Sequence, residues 1–228
     1  MLWYKAWLET RWRFVFVIGS MMLVWLTPLW LPGAAPPERL WLGLQLGWVL
    51  LYIFAAVFLA GAGINTQTMY AATPGFHGSM LFTLSLPVSR RRLLFVRAGL
   101  GAIETCVFVA IMAGFALFQG PGATSALQAL LYGTRAIVCT LPVYALSVLL
   151  ACVLDEMWQF MGAGLCWSAV FLLQSRSVVV SRISPLRGMS LVSYPVTAPM
   201  PWAPIVASVV FAGVFLYASV LVLQRREY

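Results

Sequence analysis

Charge is what this sequence has least of. Only 9% of its 228 residues are charged, whereas 62% are hydrophobic, and the mean hydropathy is +0.93. A soluble domain needs more polar surface than that to cover its outside. Lysine occurs once, at Lys5, and histidine once, at His77. A P-loop requires a Gly-rich turn followed by Lys to cradle phosphates, so the chain holds no such site and any ATP it uses must be bound by another polypeptide. The acidic residues, six in all, offer no carboxylate pair for shared acid–base work. Neither Gly-x-Ser-x-Gly nor His-Glu-x-x-His occurs. His77 has no Cys, His or acidic neighbour at ligand spacing, which argues against a metal and leaves an interfacial contact as its default reading. No catalytic, cofactor-binding or metal-binding residue is expected in this chain. Cys106, Cys139, Cys152 and Cys166 lie inside apolar blocks and not in loops. That placement excludes a disulfide framework and reads as small buried hydrophobes.

What the sequence has is apolar length. Its hydrophobic residues fall in blocks of roughly 17 to 28, enough to cross about 30 Å of hydrocarbon. These observations predict an all-α integral membrane protein with a single transmembrane domain over 1–228. Six spans are expected, at approximately 14–31, 40–64, 93–118, 127–154, 157–173 and 203–223. Arg135 is an alternative start for the fourth. Residues 1–13, MLWYKAWLETRWR, predict an amphipathic interfacial helix. Trp3, Trp7, Thr10 and Phe14 share one side, extended by Tyr4, Leu8 and Trp12, while Lys5, Glu9 and Arg13 follow at i, i+4 on the other. The run from Phe14 to Leu31 is long for the apolar core of a signal peptide. The 174–202 segment contains Pro185, Pro195, Pro199 and Pro201 between short apolar runs. It cannot span and is too apolar for a free linker, which predicts an extracytoplasmic re-entrant or interface-lying hairpin.

The net charge of +8 comes from 14 basic against 6 acidic residues. Its placement at the ends of apolar blocks points to anionic lipid head groups and topology, not to nucleic acid. With six spans, Lys5, Arg11, Arg13, Arg90, Arg91, Arg92, Arg97, Arg225 and Arg226 fall on one side. Arg39, Arg135, Arg176, Arg182 and Arg187 fall on the other, so both termini are expected in the cytoplasm.

The 65–92 loop then lies on the cytoplasmic side and holds the densest charge cluster, GSMLFTLSLPVSRRRLLFVR over 78–97. Thr-Pro-Gly breaks the outgoing helix, and Ser79 is a plausible cap for a short helix reaching about Leu86. Pro87 ends it, because the residue before a proline is pushed out of helical geometry. Ser89 can cap the next helix, which becomes the third span. Such a short apolar helix is either an interfacial helix with basic anchors or an element that docks into a groove on a cytoplasmic partner.

The string TLSLPVSRRRLLFVR resembles the signature of type-2 ATP-binding-cassette exporter permeases, in which a helix start leads into a Leu-rich stretch and a Pro-Val-Ser-Arg segment. The amphipathic N-terminal helix, six spans, apolar segments between the last two spans and a short basic tail agree with that plan. The resemblance implies a membrane-spanning permease of the bacterial cytoplasmic (inner) membrane that pairs with a second permease chain as a homodimer. It also implies a separate P-loop nucleotide-binding ATPase subunit as partner, which binds the ATP and Mg. The helix between spans two and three would be the coupling helix gripped by that subunit, here Gly78, Ser79, Phe82, Thr83, Leu86, Pro87, Val88, Ser89 and Arg90. Many members carry acidic residues at this helix start, where this chain has His77, Gly78, Ser79 and Met80. A membrane enzyme or lipid-modifying protein and a non-transporting accessory membrane protein are the alternatives.

Two further residues are candidate pathway or intramembrane polar groups. Glu104 lies about 20 Å along the third span from the arginine cluster, at 1.5 Å per residue, a depth at which an ionisable group usually faces a cavity or a partner. Arg97 is on the same face but about 10 Å lower, so Arg135 is the other potential partner. Asp155, Glu156 and Gln159 are expected in a solvated turn, with contact to a partner as the alternative. Gly43 and Gly47 form a GxxxG with a plausible packing role.

Overall fold

The computed structural model describes residues 2–30, 37–60, 90–118, 125–154, 156–191 and 193–225. These form eight helices: α1 (Leu2–Trp30), α2 (Pro37–Leu59), α3 (Arg90–Phe118), α4 (Ala126–Ala151), α5 (Glu156–Arg176), α6 (Val178–Ile183), α7 (Pro185–Met189) and α8 (Trp202–Arg225). No strand occurs among the described residues. Leu94–Phe115, Ala126–Ala151 and Trp202–Val222 are long and apolar enough to cross a membrane, and Val49–Leu59 is a shorter apolar stretch. The chain is an all-α membrane protein.

Helix α4 is the hub. Ser125 starts it with a capping box: its Oγ accepts from Gln128 N at 3.2 Å, and Gln128 Oε1 accepts from Ser125 N at 3.0 Å. Two of the donors that a helix start leaves unpaired are thereby satisfied. The helix therefore begins well before Arg135, which sits inside it and is buried. Ala136, Cys139, Val143, Ser147 and Ala151 recur every three or four residues and are all buried. Small side chains at that spacing let neighbouring helices approach closely. α4 packs most extensively on α8 and also against α2, α3, α5 and α7. Burial separates the centre from the rim: 61% of the apolar window of α4 is buried against 17% for α8. The hydroxyls inside the bundle are satisfied locally. Thr105, Thr140, Ser147 and Ser208 each donate to the carbonyl four residues earlier, at 2.6 to 2.8 Å.

Helix α1 runs unbroken from the proposed interfacial segment into the apolar run. Ala6, Thr10, Val17 and Met21 are buried, whereas Trp3, Tyr4, Trp7, Leu8 and Trp12 are exposed. The aromatic side expected to act as one face with Thr10 is therefore split. Small residues line the approach of α1 to α3, and the Trp3 ring also reaches it, its Cη2 standing 3.1 Å from where a Cβ on Gly99 would be. The side chains of Lys5 and Glu9, and with them the Lys5–Glu9–Arg13 series, lie outside the described residues. An aromatic row joins α1, α2 and α5: Phe16 meets Phe58 at 5.9 Å, Phe58 stacks on Phe54 at 5.7 Å, and Phe54 meets Phe160 edge-on at 5.8 Å.

Between α5 and α8 the chain makes two short helices rather than a free loop. In α7, Pro185, Leu186, Gly188 and Met189 are buried, and α7 packs on α4 and α8. All four cysteines are free. Cys139 and Cys152 are buried as expected, but Cys166 is exposed because it lies on the outward side of the peripheral α5. Among the described residues, Gly47 meets nothing within 4 Å of where a Cβ would stand.

Gln159 departs from the expected solvated turn. It is 3% exposed, and its Nε2 donates to Val57 O at 3.3 Å and Ala60 O at 3.1 Å. The last carbonyls of a helix have no intrahelical donor, and the amide of α5 supplies one to the end of α2. Gln159→Leu is expected to cost about 1–3 kcal/mol, read as a lower apparent unfolding midpoint in detergent. Gln159→Glu should cost more, because a carboxylate cannot donate and would face two carbonyls. A Glu variant as stable as the parent would remove the capping role.

Candidate intramembrane polar sites

The residues expected to form the coupling segment, Gly78, Ser79, Phe82, Thr83, Leu86, Pro87, Val88 and Ser89, lie outside the described residues, as does His77. Arg90 is the first residue of α3. From there one face of α3 turns inward: Leu94, Arg97, Ala98, Gly101, Glu104, Thr105, Phe108 and Met112 are buried. Phe95, Ile103, Val107 and Ile111 point outward.

Glu104 is 3% exposed and sits where α1 crosses α3. Its Oε1 accepts from the Thr10 hydroxyl, and Thr10 is itself buried. Its Oε2 is buried with no hydrogen-bond partner among the described residues. A carboxyl group in an apolar surrounding is costly unless its lone pairs are met. The Thr10–Glu104 bond therefore ties α1 to α3 at a buried point.

Arg135 occupies a different place. It is 3% exposed, and its Nη2 donates to Tyr194 O at 2.8 Å. Its guanidinium lies over the Tyr132 ring at 5.1 Å and the Tyr194 ring at 5.9 Å. Tyr132 shares a 3.4 Å hydroxyl contact with Tyr52 of α2. Arg187 approaches the Tyr194 ring as well, at 5.9 Å. The Nε of Arg135 is buried without a partner among the described residues. Glu104 and Arg135 are thus not brought together: one binds α1, the other the 193–201 stretch. Their partners, Thr10, Tyr132 and Tyr194, were not singled out as polar-site residues from the sequence. The only signal for Thr10 was its place on the amphipathic N-terminal helix.

Chemically, the first site can hold a proton or a small polar group against a carboxyl, and the second is a cation boxed by aromatic faces. Among the described residues no three His, Cys, Asp or Glu side chains gather as a metal site would require. The chain matches no model of a known family, no characterised protein and no solved structure.

The Thr10–Glu104 bond predicts energetic coupling. In a double-mutant cycle of Thr10→Val and Glu104→Leu, the interaction free energy should be about 0.5–3 kcal/mol, as for contacting residues. Each single change should lower the unfolding midpoint, and Thr10→Val should do so less once Glu104 is already Leu. Strict additivity would deny the bond.

Proposed function

We propose that this chain is the membrane-spanning permease subunit of an ATP-binding-cassette exporter. It works as a homodimer of six-span chains in the bacterial cytoplasmic membrane, with both termini cytoplasmic. Separate ATPase subunits bind ATP and Mg and drive it. The observation that carries this reading is the Leu-Pro-Val-Ser-Arg-Arg-Arg stretch at 86–92, which runs directly into α3 at Arg90. The long apolar part of α3 follows with no intervening loop, and α3 packs on α1, α2, α4 and α8. A push on residues 78–89 would reach most of the bundle through that one helix. Closure of the ATPase subunits would draw the two coupling segments together and rock the helices between inward- and outward-open arrangements. The arginines mark the cytoplasmic face, and Phe82 and Leu86 are the apolar contacts that the partner would grip.

Co-purification from the native host tests this. The intact chain should bring down a P-loop ATPase, and deletion of 78–90 or the pair Phe82→Ala, Leu86→Ala should release it while the chain stays in the membrane. Recovery of the intact chain with no such ATPase would sink the reading.

A further inference from the structure

Where α5 hands over to α6 and α7, the surface forms an open cavity of about 240 Å³. Arg176, Arg182 and Arg187 line it together with Ser175, Ser177 and Ser181. Local geometry explains the convergence. α5 ends at Arg176, and Ser177 caps α6 by accepting from Val180 N at 3.4 Å. Ser184 then reaches back to donate to Gln174 Oε1 at 2.9 Å, closing the turn. Pro185 opens α7 and carries Arg187 in from the far side.

Three like charges around one small cavity repel one another unless something answers them. No acidic residue occurs from Met157 to Arg226, and none lines the cavity. Arg187 donates to Ser181 Oγ, so it is held in place. Arg176 and Arg182 are exposed and engage no partner among the described residues. Guanidinium forks match phosphate oxygens two bonds at a time, and serine hydroxyls add further donors. The geometry points to a binding site for a phosphate-bearing anion at this turn. The rim suggests the source. Leu172, Leu173, Val178 and Val179 are 54% to 70% exposed beside the cavity, which suits an acyl chain leaving a phosphate head group. A soluble phosphate ester presents the same head without the chain. This inference does not depend on the transporter reading.

The test uses the full chain purified in a neutral detergent. Three compounds are compared by thermal shift and native mass spectrometry: dioctanoyl phosphatidic acid, glycerol 3-phosphate and dioctanoylglycerol. Dioctanoyl phosphatidic acid should bind, and Arg176→Gln with Arg182→Gln should weaken it by about tenfold or more. Arg11→Gln with Arg13→Gln should leave it unchanged. Glycerol 3-phosphate binding as tightly would assign the site to soluble phosphates, whereas binding of the lipid alone would assign it to a head group. Should the double Gln variant be unstable, the unaltered protein still decides, because binding should weaken about fivefold or more between about 0.05 and about 0.5 M NaCl. Dioctanoylglycerol binding as well as the phosphatidic acid, no binding of either phosphate compound, or full affinity in the Arg176→Gln, Arg182→Gln variant would overturn the proposal.

Discussion

Gly101→Ala should lower the stability of the folded protein by about 1–3 kcal/mol, and Gly101→Val by more, through overpacking. A Cβ at this position would stand 2.5 Å from Tyr144 Oη, 3.3 Å from its Cζ and 3.0 Å from the Leu59 carbonyl oxygen. Neither neighbour gives way easily. The Tyr144 ring is buried and its hydroxyl donates to Ala98 O at 2.7 Å, so moving it breaks a bond inside the bundle. The Leu59 oxygen belongs to the last turn of α2, the end held by Gln159. Position 101 is therefore where α2, α3 and α4 meet too tightly for a Cβ, and only hydrogen fits.

Gly114 supplies the control, because it lies on the same helix and a Cβ there would meet nothing within 4 Å among the described residues. Replacing it with Ala should be neutral, or stabilising by up to about 1 kcal/mol from helix propensity. Tyr144→Phe should recover part of the loss in the Gly101→Ala background, since it removes the closest atom but leaves the Leu59 carbonyl. Apparent unfolding midpoints in one detergent rank all four proteins. Equal midpoints for Gly101→Ala and Gly114→Ala would remove the steric argument.

These two glycines show what a sequence conceals. Both sit in apolar runs of the same helix and look alike on the page. Their difference comes from Leu59 and Tyr144, which reach position 101 from elsewhere in the chain. The membrane-protein class was legible because it rests on composition and on the length of apolar blocks, which need no partner to be read. Glu104 stood out for a related reason: an ionisable residue deep in an apolar run is unusual whatever surrounds it. Its partner did not stand out, because Thr10 lies in a segment rich in more conspicuous tryptophans. Gln159 reads as a turn residue because its neighbours, Asp155 and Glu156, are what a turn would carry. A donor seeking the open end of α2 leaves no periodic mark. The arginines at 176, 182 and 187 were legible as charges in the 174–202 segment, and their convergence was not, since it depends on how Ser177 and Pro185 turn the backbone.

The second large effect is expected at Arg135. Arg135→Met keeps most of the apolar stem and removes the guanidinium, so it isolates the polar contribution. A hydrogen bond from a charged donor contributes about 1.5–3 kcal/mol, and a desolvated cation–π contact up to about 2 kcal/mol. Because the hydrogen bond and one of the two ring contacts run to the short stretch around Tyr194, the loss should be local as well as global. The sum suggests about 2–5 kcal/mol, with hydrogen exchange rising first in the 190–200 peptide while α4 stays protected. Arg135→Lys should rescue poorly: an ammonium is a point charge and cannot bond the Tyr194 carbonyl while also facing two rings. Tyr194→Phe should be nearly neutral, because Arg135 uses the backbone carbonyl and ring face of that residue and not its hydroxyl. Tyr194→Ala should expose the same peptide as Arg135→Met does. If Arg135→Lys behaves like the parent, Arg135 acts as a simple positive charge. If instead Tyr194→Phe proves as damaging as Tyr194→Ala, the ring-face contact is not what holds this stretch to α4.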